Sequence, residues 1–201
     1  MEIRDRILEA AGRVYALHGY RGSTTRLIAN EAGVNEVTLF RTFGTKDSLF
    51  KQLSRGHADA ATVPELPAEP TNPHRELARW CRSVLDYLTQ QRSFLRKSMS
   101  EMEERPLAAE AACKGPHCAG DALSRYVEAL KHHKLAHPDG ETDTAISMLM
   151  SSLFGDAMCR EMMPGAFPEP ADQAPARYAA CFLRAVGVSR RATKKSNATA
   201  A

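Results

Sequence analysis

A closely spaced set of hydroxyl, amide and basic side chains occupies the first quarter of the chain. Ser23 and Thr24 carry hydroxyl groups and Asn35 carries a side-chain amide. All three residue types often begin a helix, because the side-chain oxygen can accept a hydrogen bond from a backbone N–H. Gly33 comes shortly before Asn35 and supplies the backbone freedom that a sharp turn requires. The pattern therefore predicts two short helices around a tight turn, the second over residues 36–43.

Two short helices joined by a glycine-containing turn form a helix-turn-helix, whose second helix enters the DNA major groove with its N-terminal end. Val37 and Thr38 could contact thymine methyl groups, and Glu36 could accept a hydrogen bond from cytosine. Arg41 could bind guanine or a phosphate. Hydroxyl and basic residues near the helix starts are expected phosphate contacts, which fix the register without reading the sequence. The predicted DNA-binding residues are Ser23, Thr24, Arg26, Asn35, Glu36, Val37, Thr38, Phe40, Arg41, Thr42 and Lys46.

Some of these residues also have a purely structural explanation. Thr24 and Thr45 stand where they could serve only to cap helices, and Lys46 could be an ordinary solvated lysine. Because one helix N-terminus can be capped and also bind phosphate, the two explanations are compatible, and both stay open here.

The run from residue 3 to residue 53 resembles the N-terminal domain of the tetracycline-repressor (TetR) family of bacterial transcription regulators. The matching residues, in order, are Gly19-Tyr20, Ser23-Thr24, Ile28-Ala29, Ala32-Gly33-Val34, Thr38-Leu39-Phe40, Phe43, Thr45-Lys46-Asp47 and Leu49. The chain departs from the family pattern at four positions. Phe40 stands where Tyr is usual, Thr42 where His or Tyr is common, Val37 in place of Gly, Ala or Pro, and Leu27 at a position that is usually polar. These differences bear on which bases are read, and the resemblance still implies DNA binding.

Apolar residues recur at helical spacing through the rest of the chain, and no segment alternates convincingly like a strand. The first helix is predicted over residues 3–18. The remaining long helices are predicted over residues 46–61, 74–91, 93–104, 121–134, 142–163 and 172–188. A break is expected over residues 113–120, because Gly115-Pro116 lies there.

The predicted fold is therefore all-α, with about nine helices. A three-helix head that contains the helix-turn-helix is expected over residues 1–50. A helical body that binds a ligand and dimerises is expected over residues 51–189. The basic, polar tail over residues 190–201 is expected to be disordered.

Methionine and aromatic side chains on the body helices are candidates for lining a ligand pocket. Methionine suits adaptable binding surfaces because its side chain is flexible, although a stripe of such residues also fits an ordinary core. The predicted pocket residues are Trp80, Tyr87, Phe94, Met99, Met102, Tyr126, Met150, Phe154 and Met158.

The last two predicted helices each carry an apolar face, which indicates an oligomer. In the resembled family this helix pair meets its two-fold copy in a four-helix bundle, so the resemblance implies a homodimer. Packing of both faces only on their own body is the alternative. The predicted interface residues are Leu153, Ala157, Tyr178, Phe182, Leu183 and Val186.

Two groups of cysteine and histidine residues could take part in metal or thiol chemistry. Cys113, His117 and Cys118 lie in the predicted break, and three histidines cluster over residues 132–137. Neither group supplies the two well-spaced pairs of a four-ligand zinc site, so we expect no metal and no cofactor. A helical metal- or thiol-dependent enzyme, or a redox sensor that uses Cys113, His117 and Cys118, is the alternative function.

Composition agrees with a cytoplasmic regulator. The chain has 201 residues and a net charge of +3, which is too small to indicate nucleic acid by itself. Its N-terminus is charged and unlike a signal peptide, and no run approaches the roughly 18 apolar residues of a membrane span. Five cysteines without a secretion signal indicate reduced thiols.

The sequence thus predicts a cytoplasmic, homodimeric transcription regulator that responds to a ligand. We expect it to be a repressor and not an enzyme, because no nucleophile, base and acid occur at a recognisable spacing. Its expected partners are double-stranded operator DNA with a palindromic sequence, a second copy of the chain and a small hydrophobic effector. No membrane partner is expected.

Overall fold

The computed structural model describes residues 2–60, 65–102 and 106–188. Within these ranges the secondary structure consists of nine α-helices and two short 3-10 turns, so the all-α prediction is confirmed. The helices are α1 (Ile3–Gly22), α2 (Thr25–Glu31), α3 (Glu36–Phe43), α4 (Lys46–Ala60), α5 (Pro73–Gln90), α6 (Arg92–Ser100), α7 (Pro106–His132), α8 (Thr142–Cys159) and α9 (Ala174–Ala185). The 3-10 turns are Pro164–Ala166 and Ala171–Gln173. The predicted disordered tail lies outside the described residues.

The chain forms two compact units. The head unit comprises Met1–Thr62 and Gln91–Gly115, and the body unit comprises Val63–Gln90 and Pro116–Ala201. Helix α6 thus belongs to the head unit, although it follows α5 of the body unit in the sequence. The predicted boundaries at residues 50 and 189 stay a prediction.

Helices α1 to α4 enclose the core of the head unit. Ile7, Ile28, Leu39 and Leu49 come from four successive helices and have no exposed surface. Small residues on α1 and α2, such as Ala11 and Ala29, are also buried, and they allow the helix axes to approach closely. The core therefore holds α3 against its neighbours on one side only.

Side-chain caps begin the helices of the head as the sequence predicts. The Thr24 hydroxyl oxygen accepts a hydrogen bond from the Leu27 N–H at 3.1 Å. Asn35 Oδ1 accepts one from the Thr38 N–H at 2.7 Å, and Thr45 Oγ1 accepts one from the Ser48 N–H at 3.0 Å. Because each cap satisfies a backbone donor that the helix itself leaves unpaired, these residues fix where each helix starts.

The first helix ends differently from the prediction. It was expected to stop at residue 18, whereas the structure continues past an interruption at Gly19 to Gly22. Gly19 has φ 66° and ψ −176°, a backbone conformation open almost only to glycine. Above it, the Tyr20 N–H donates to Glu101 Oε1 at 3.0 Å. The interruption is therefore held by a residue that lies just beyond the end of α6.

The predicted break over residues 113–120 is wrong, because α7 runs without interruption from Pro106 to His132. A proline inside a helix removes one backbone hydrogen bond, but a helix of 27 residues keeps the bonds on both sides. Other bounds also differ, and α9 spans Ala174–Ala185 instead of residues 172–188. Helix α6 ends at Ser100 instead of residue 104, and α8 ends at Cys159 instead of residue 163.

Helix α5 supplies the largest buried face of the body unit and packs against α8 and α9. Leu77, Trp80 and Cys81 lie on this face and are at most 1% exposed, as the helical spacing predicts. Burial raises the pKa of the Cys81 thiol to about 12. The thiol is therefore neutral and protected inside the body unit.

A buried ion pair lies between α8 and the segment that leads to α9. Asp156 is 2% exposed and accepts two hydrogen bonds from Arg160, each at 2.6 Å. The Tyr178 hydroxyl donates to the same carboxylate at 2.7 Å. Arg160 also donates to Glu169 at 2.8 Å. The ion pair and the hydrogen bonds to Asp156 offset the desolvation cost of burying its carboxylate.

Candidate nucleic-acid interface

Helix α3 has one buried face and one face open to solvent. Leu39 and Phe43 are buried against the rest of the head unit. On the open face, Val37 is 74% exposed and Phe40 is 45% exposed, and Arg41 is exposed as well. Positions 37, 40 and 41 lie together because residues three and four apart are neighbours on a helix surface. This open face is the surface that a groove of DNA could receive.

Several polar groups at the start of α3 are bound within the protein. The Thr38 hydroxyl donates to Asn35 Oδ1 at 2.8 Å, and the Thr42 hydroxyl donates to the Thr38 carbonyl oxygen at 2.8 Å. The Thr25 hydroxyl donates to the Glu36 carboxylate. These bonds anchor α3 to its own N-terminal turn and to α2.

The three predicted phosphate contacts near the start of α2 differ from one another in exposure. Thr24 and Arg26 are exposed at the start of α2. Ser23 is completely buried, and its hydroxyl donates to the Gly19 carbonyl oxygen at 2.5 Å. A fully buried hydroxyl cannot reach a phosphate, so Ser23 is removed from the predicted DNA contacts.

Lys46 has a structural contact that the sequence did not indicate. Its ammonium group donates to the Tyr20 carbonyl oxygen at 2.5 Å and lies 4.2 Å from the centre of the Tyr20 ring. The Tyr20 hydroxyl in turn donates to Asp47 Oδ1 at 2.5 Å. The side chain of Lys46 therefore ties the start of α4 to the end of α1.

The nine predicted pocket residues are divided between the two units. Phe94, Met99 and Met102 belong to the head unit, where both methionines are exposed and Phe94 packs beside Tyr15 with 5.0 Å between ring centres. The other six belong to the body unit. Of these, Trp80, Tyr126 and Met158 are buried, and Tyr87, Met150 and Phe154 are half-buried.

Polar groups accompany the buried aromatic residues of the body unit. The Tyr126 hydroxyl donates to Glu76 Oε2 at 2.6 Å, and Glu76 Oε1 accepts from the Asn72 N–H at 2.6 Å. Burial raises the pKa of Glu76, but hydrogen bonds from Tyr126 and from Thr71 and Asn72 outweigh it, and the net pKa is lowered. The indole N–H of Trp80, one turn further along α5, is buried without a hydrogen-bond partner among the described residues.

Five of the six predicted interface residues are buried within the single chain. Leu153, Ala157, Phe182, Leu183 and Val186 are at most 3% exposed, whereas Tyr178 is half-buried and bonded to Asp156. Exposed positions on the same two helices include Met148, which is 66% exposed, and Cys181. A contact with a second chain would therefore have to use such neighbours of the predicted residues.

Only part of the cysteine and histidine groups lies among the side chains that the structure describes. The side chains of Cys113 and His117 lie outside the described residues, and Cys118 is exposed. Among the side chains that the structure describes, no three histidine, cysteine or acidic residues lie close enough to hold a metal ion. No helix of the described ranges is long and apolar enough to cross a membrane.

The helix-turn-helix geometry agrees with comparisons to known proteins. Residues 7–53 match the family described as bacterial regulatory proteins, tetR family. Residues 7–53 are therefore similar to the conserved N-terminal region of that family. Over 66 residues it is 41% identical to the HTH-type transcriptional repressor AcnR of Corynebacterium glutamicum, which is 33% of this chain and 34% of that protein. It is also 43% identical over 53 residues to YvkB of Bacillus subtilis, an uncharacterized HTH-type transcriptional regulator, which is 26% of this chain and 28% of that protein.

The similarity in sequence and the similarity in fold have different extents. The chain covers about a third or less of the length of these curated relatives. A transcriptional regulator from Rhodococcus sp. Rha1 superimposes with a TM-score of 0.71 over 92% of this chain and 98% of its own, at 21% identity. A tetR-family regulatory protein from Rhodococcus RHA1 gives 0.69 over 94% and 99%, also at 21% identity. The chain therefore shares its fold with these proteins along nearly its whole length.

The sequence did not predict the contribution of α6 to the head unit. Glu101 is 81 positions away from Tyr20, and Ser98 Oγ is 3.3 Å from the Tyr15 hydroxyl, 83 positions away. No motif connects residues so far apart. Gly19 is a partial signal, because a glycine at the end of a helix can mark a place where another side chain approaches the backbone closely. Here the side chains of Lys97 and Glu101 occupy that place.

Proposed function

We propose that the protein is a DNA-binding transcription regulator, and specifically a repressor. The observation that carries this proposal is the open face of α3, which presents Val37, Phe40 and Arg41 to solvent while Leu39 and Phe43 are buried. A helix held in this way can enter the major groove with its N-terminal end. The relatives matched by the head are named as a transcriptional repressor and a transcriptional regulator, which supports the same function.

The active form in this proposal is a homodimer bound to a palindromic operator. A two-fold dimer reads two half-sites about one helical turn apart, and linking two heads raises affinity because the second binding event becomes intramolecular. Exposed residues on α8 and α9, such as Met148 and Cys181, are the surface that we assign to this contact. The neighbouring residues that the sequence singled out form the core behind it.

The body unit in this proposal binds a small, largely hydrophobic effector. The buried N–H of Trp80 has no partner among the described residues, and a buried donor without an acceptor is costly. An effector that carries a hydrogen-bond acceptor could satisfy this group. By favouring a conformation in which the two heads do not fit the operator, it would release the DNA. We also propose that the protein is located in the cytoplasm, because its proposed target is chromosomal DNA.

Selection of bound sequences from random double-stranded DNA tests the central proposal. We expect a near-palindrome, bound with a steep dependence on salt because basic residues displace counterions from phosphates. Arg41→Ala should reduce the preference for the selected sequence. Arg26→Ala should weaken binding to all sequences alike and lower the salt slope by about one. Arg125→Ala, an exposed change on α7, is the control and should alter neither property.

Binding without any sequence preference would contradict the proposed function. The effector is tested separately by a ligand screen that follows the fluorescence of Trp80, the single tryptophan of the chain. A ligand that weakens operator binding a hundredfold requires a coupling of about 2.7 kcal/mol, and operator DNA must then weaken ligand binding by the same factor. Equal ligand affinity with and without operator would rule out the coupling.

A further inference from the structure

Val37 is the most exposed large hydrophobic residue of α3. It is the second residue of the helix, and 74% of its surface is open to solvent. The first residues of a recognition helix are those that reach base edges. An apolar side chain so placed has nothing to offer a phosphate, and it gains free energy only when another apolar group covers it.

The polar neighbours of Val37 are occupied within the protein. The proton of the Thr38 hydroxyl goes to Asn35 Oδ1 at 2.8 Å, and the same oxygen accepts the Thr38 N–H at 2.7 Å. The Glu36 carboxylate accepts a hydrogen bond from the Thr25 hydroxyl. A base that needed the Thr38 hydroxyl as a donor would first have to break its bond to Asn35, whereas the Glu36 carboxylate keeps further lone pairs that can accept.

Thymine is the base that presents an apolar group in the major groove, its C5 methyl. We propose that Val37 contacts a thymine methyl group in each half-site of the operator and is the residue that specifies thymine there. This inference rests on the proposed function, because it concerns how the same head reads DNA. Val37 carries the contact in preference to Thr38, since Val37 is 74% exposed and Thr38 is half-buried.

The residues beside Val37 support this arrangement. Phe40 is 45% exposed and three positions further along the helix, so it extends the apolar surface toward the sugar edge or a second methyl group. Arg41 is four positions from Val37 and exposed, so its guanidinium can bind a neighbouring guanine or a phosphate. The open face of α3 thus combines one apolar reading position with one basic anchor.

Replacing single thymines by deoxyuridine tests the inference, because uracil pairs identically with adenine and lacks only the methyl group. The probe is the duplex recovered by selection from random DNA with the wild-type protein. At one position of each half-site we expect the change to weaken binding about fourfold, the effect of losing one buried methyl-sized group. Uracil in both half-sites should weaken it about fifteenfold.

Two variants show whether Val37 makes this contact. Val37→Ala should bind the thymine and uracil duplexes with nearly equal affinity, because the protein methyls that covered the base are gone. Thr38→Ala is the matched control on the next residue and should keep the full sensitivity to uracil. Both positions are solvent-accessible, so circular dichroism should show that both variants stay folded.

The outcomes separate this inference from the proposed function. Wild-type affinity that is unchanged by uracil at every thymine would overturn the contact. So would a loss that persists in Val37→Ala but disappears in Thr38→Ala. In both cases selective DNA binding, and with it the proposed function, would stand. A failure of the wild-type protein to select any sequence would instead remove the proposed function, and this inference with it.

Discussion

The two units of the chain differ in the exposure of their most unusual side chains. In the head unit the notable groups face outward, with Val37 74% exposed and Phe40 45% exposed. In the body unit they face inward, with Asp156 2% exposed between Arg160 and Tyr178. An outward apolar face has a purpose only when a partner covers it, whereas an inward ion pair is satisfied already. The head therefore presents an apolar face that a partner could cover, whereas the ion pair of the body is enclosed by the body itself.

The comparisons with other proteins show the same division. Identity of 41% to a relative extends over 66 residues, a third of the chain, whereas the likeness in fold covers over nine-tenths of the chain at about 20% identity. A fold tolerates many different cores of similar volume, so the body can keep its helices while its residues change. The proposed fit of α3 to a groove of DNA would allow less variation.

The largest expected effect tests the inward character of the body. Leu183 has no exposed surface, so Leu183→Glu should bury a charge without a partner and destabilise the protein by about 4 kcal/mol or prevent folding. Cys181→Glu, two positions away on the same helix, changes an exposed residue and should leave the fold intact. In the proposed dimer it should instead produce monomers. Thermal unfolding followed by circular dichroism, together with light scattering, distinguishes the two effects.

A stable, dimeric Leu183→Glu variant would show that this face of α9 is not a core. A dimeric Cys181→Glu variant would exclude Cys181 from the contact between chains and shift attention to Met148 on α8.

A smaller effect tests how strongly the head depends on α6. A methyl group at Gly19 would meet the ends of the Glu101 and Lys97 side chains, and its backbone has φ 66°. Gly44 has φ 73° with nothing within 4 Å of the added atom. Both alanine variants suffer backbone strain, of about 1–2 kcal/mol, and only Gly19→Ala also displaces residues of the α6 region. We therefore expect Gly19→Ala to lose about 1 kcal/mol more in urea unfolding.

The matched variant Glu101→Ala shows whether that contact is the cause. In its presence the difference between the two glycine variants should shrink. If Gly44→Ala were the more harmful change, the packing of the α6 region above Gly19 would have no energetic role.

The smallest expected effect concerns pH and the body unit. Hydrogen bonds from Tyr126, Thr71 and Asn72 lower the pKa of Glu76 in spite of its burial, so the ionised carboxylate stabilises the folded state. This contribution is present above the unfolded pKa of about 4.3 and is lost as the pH falls through the lower folded pKa. Glu76→Gln should therefore flatten the loss of stability below about pH 4.3, as measured by urea unfolding at several pH values. An unchanged acid slope would show that the carboxylate is not coupled to folding.

The features that the sequence predicted well are local ones. Asn35 and Thr45 cap helices because a side-chain oxygen reaches a backbone donor three residues away, which sequence spacing alone determines. The open face of α3 follows in the same way from the positions of Leu39 and Phe43. Hence the helix-turn-helix and most of its exposed residues were readable without a structure.

The features that failed depend on distant or competing interactions. Helical periodicity marks Leu153 and Leu183 as apolar but cannot tell a contact within the chain from a contact between chains, and the structure buries both in the single chain. Proline at position 116 suggests a break, yet the surrounding turns of α7 outweigh one missing hydrogen bond. The bond from Tyr20 to Glu101 joins residues that no local pattern relates.

The buried thiol of Cys81 provides a chemical clock for the body unit. With a pKa of about 12 and no exposed surface, it cannot react with an alkylating reagent until α5 separates from its neighbours. Its slow modification therefore counts opening events that spectroscopy averages away. Cys118, which is exposed and lies outside the proposed dimer contact, should react first and gives the rate of an unprotected thiol for comparison. A ligand that binds beside α5 and stabilises its packing should slow the modification of Cys81.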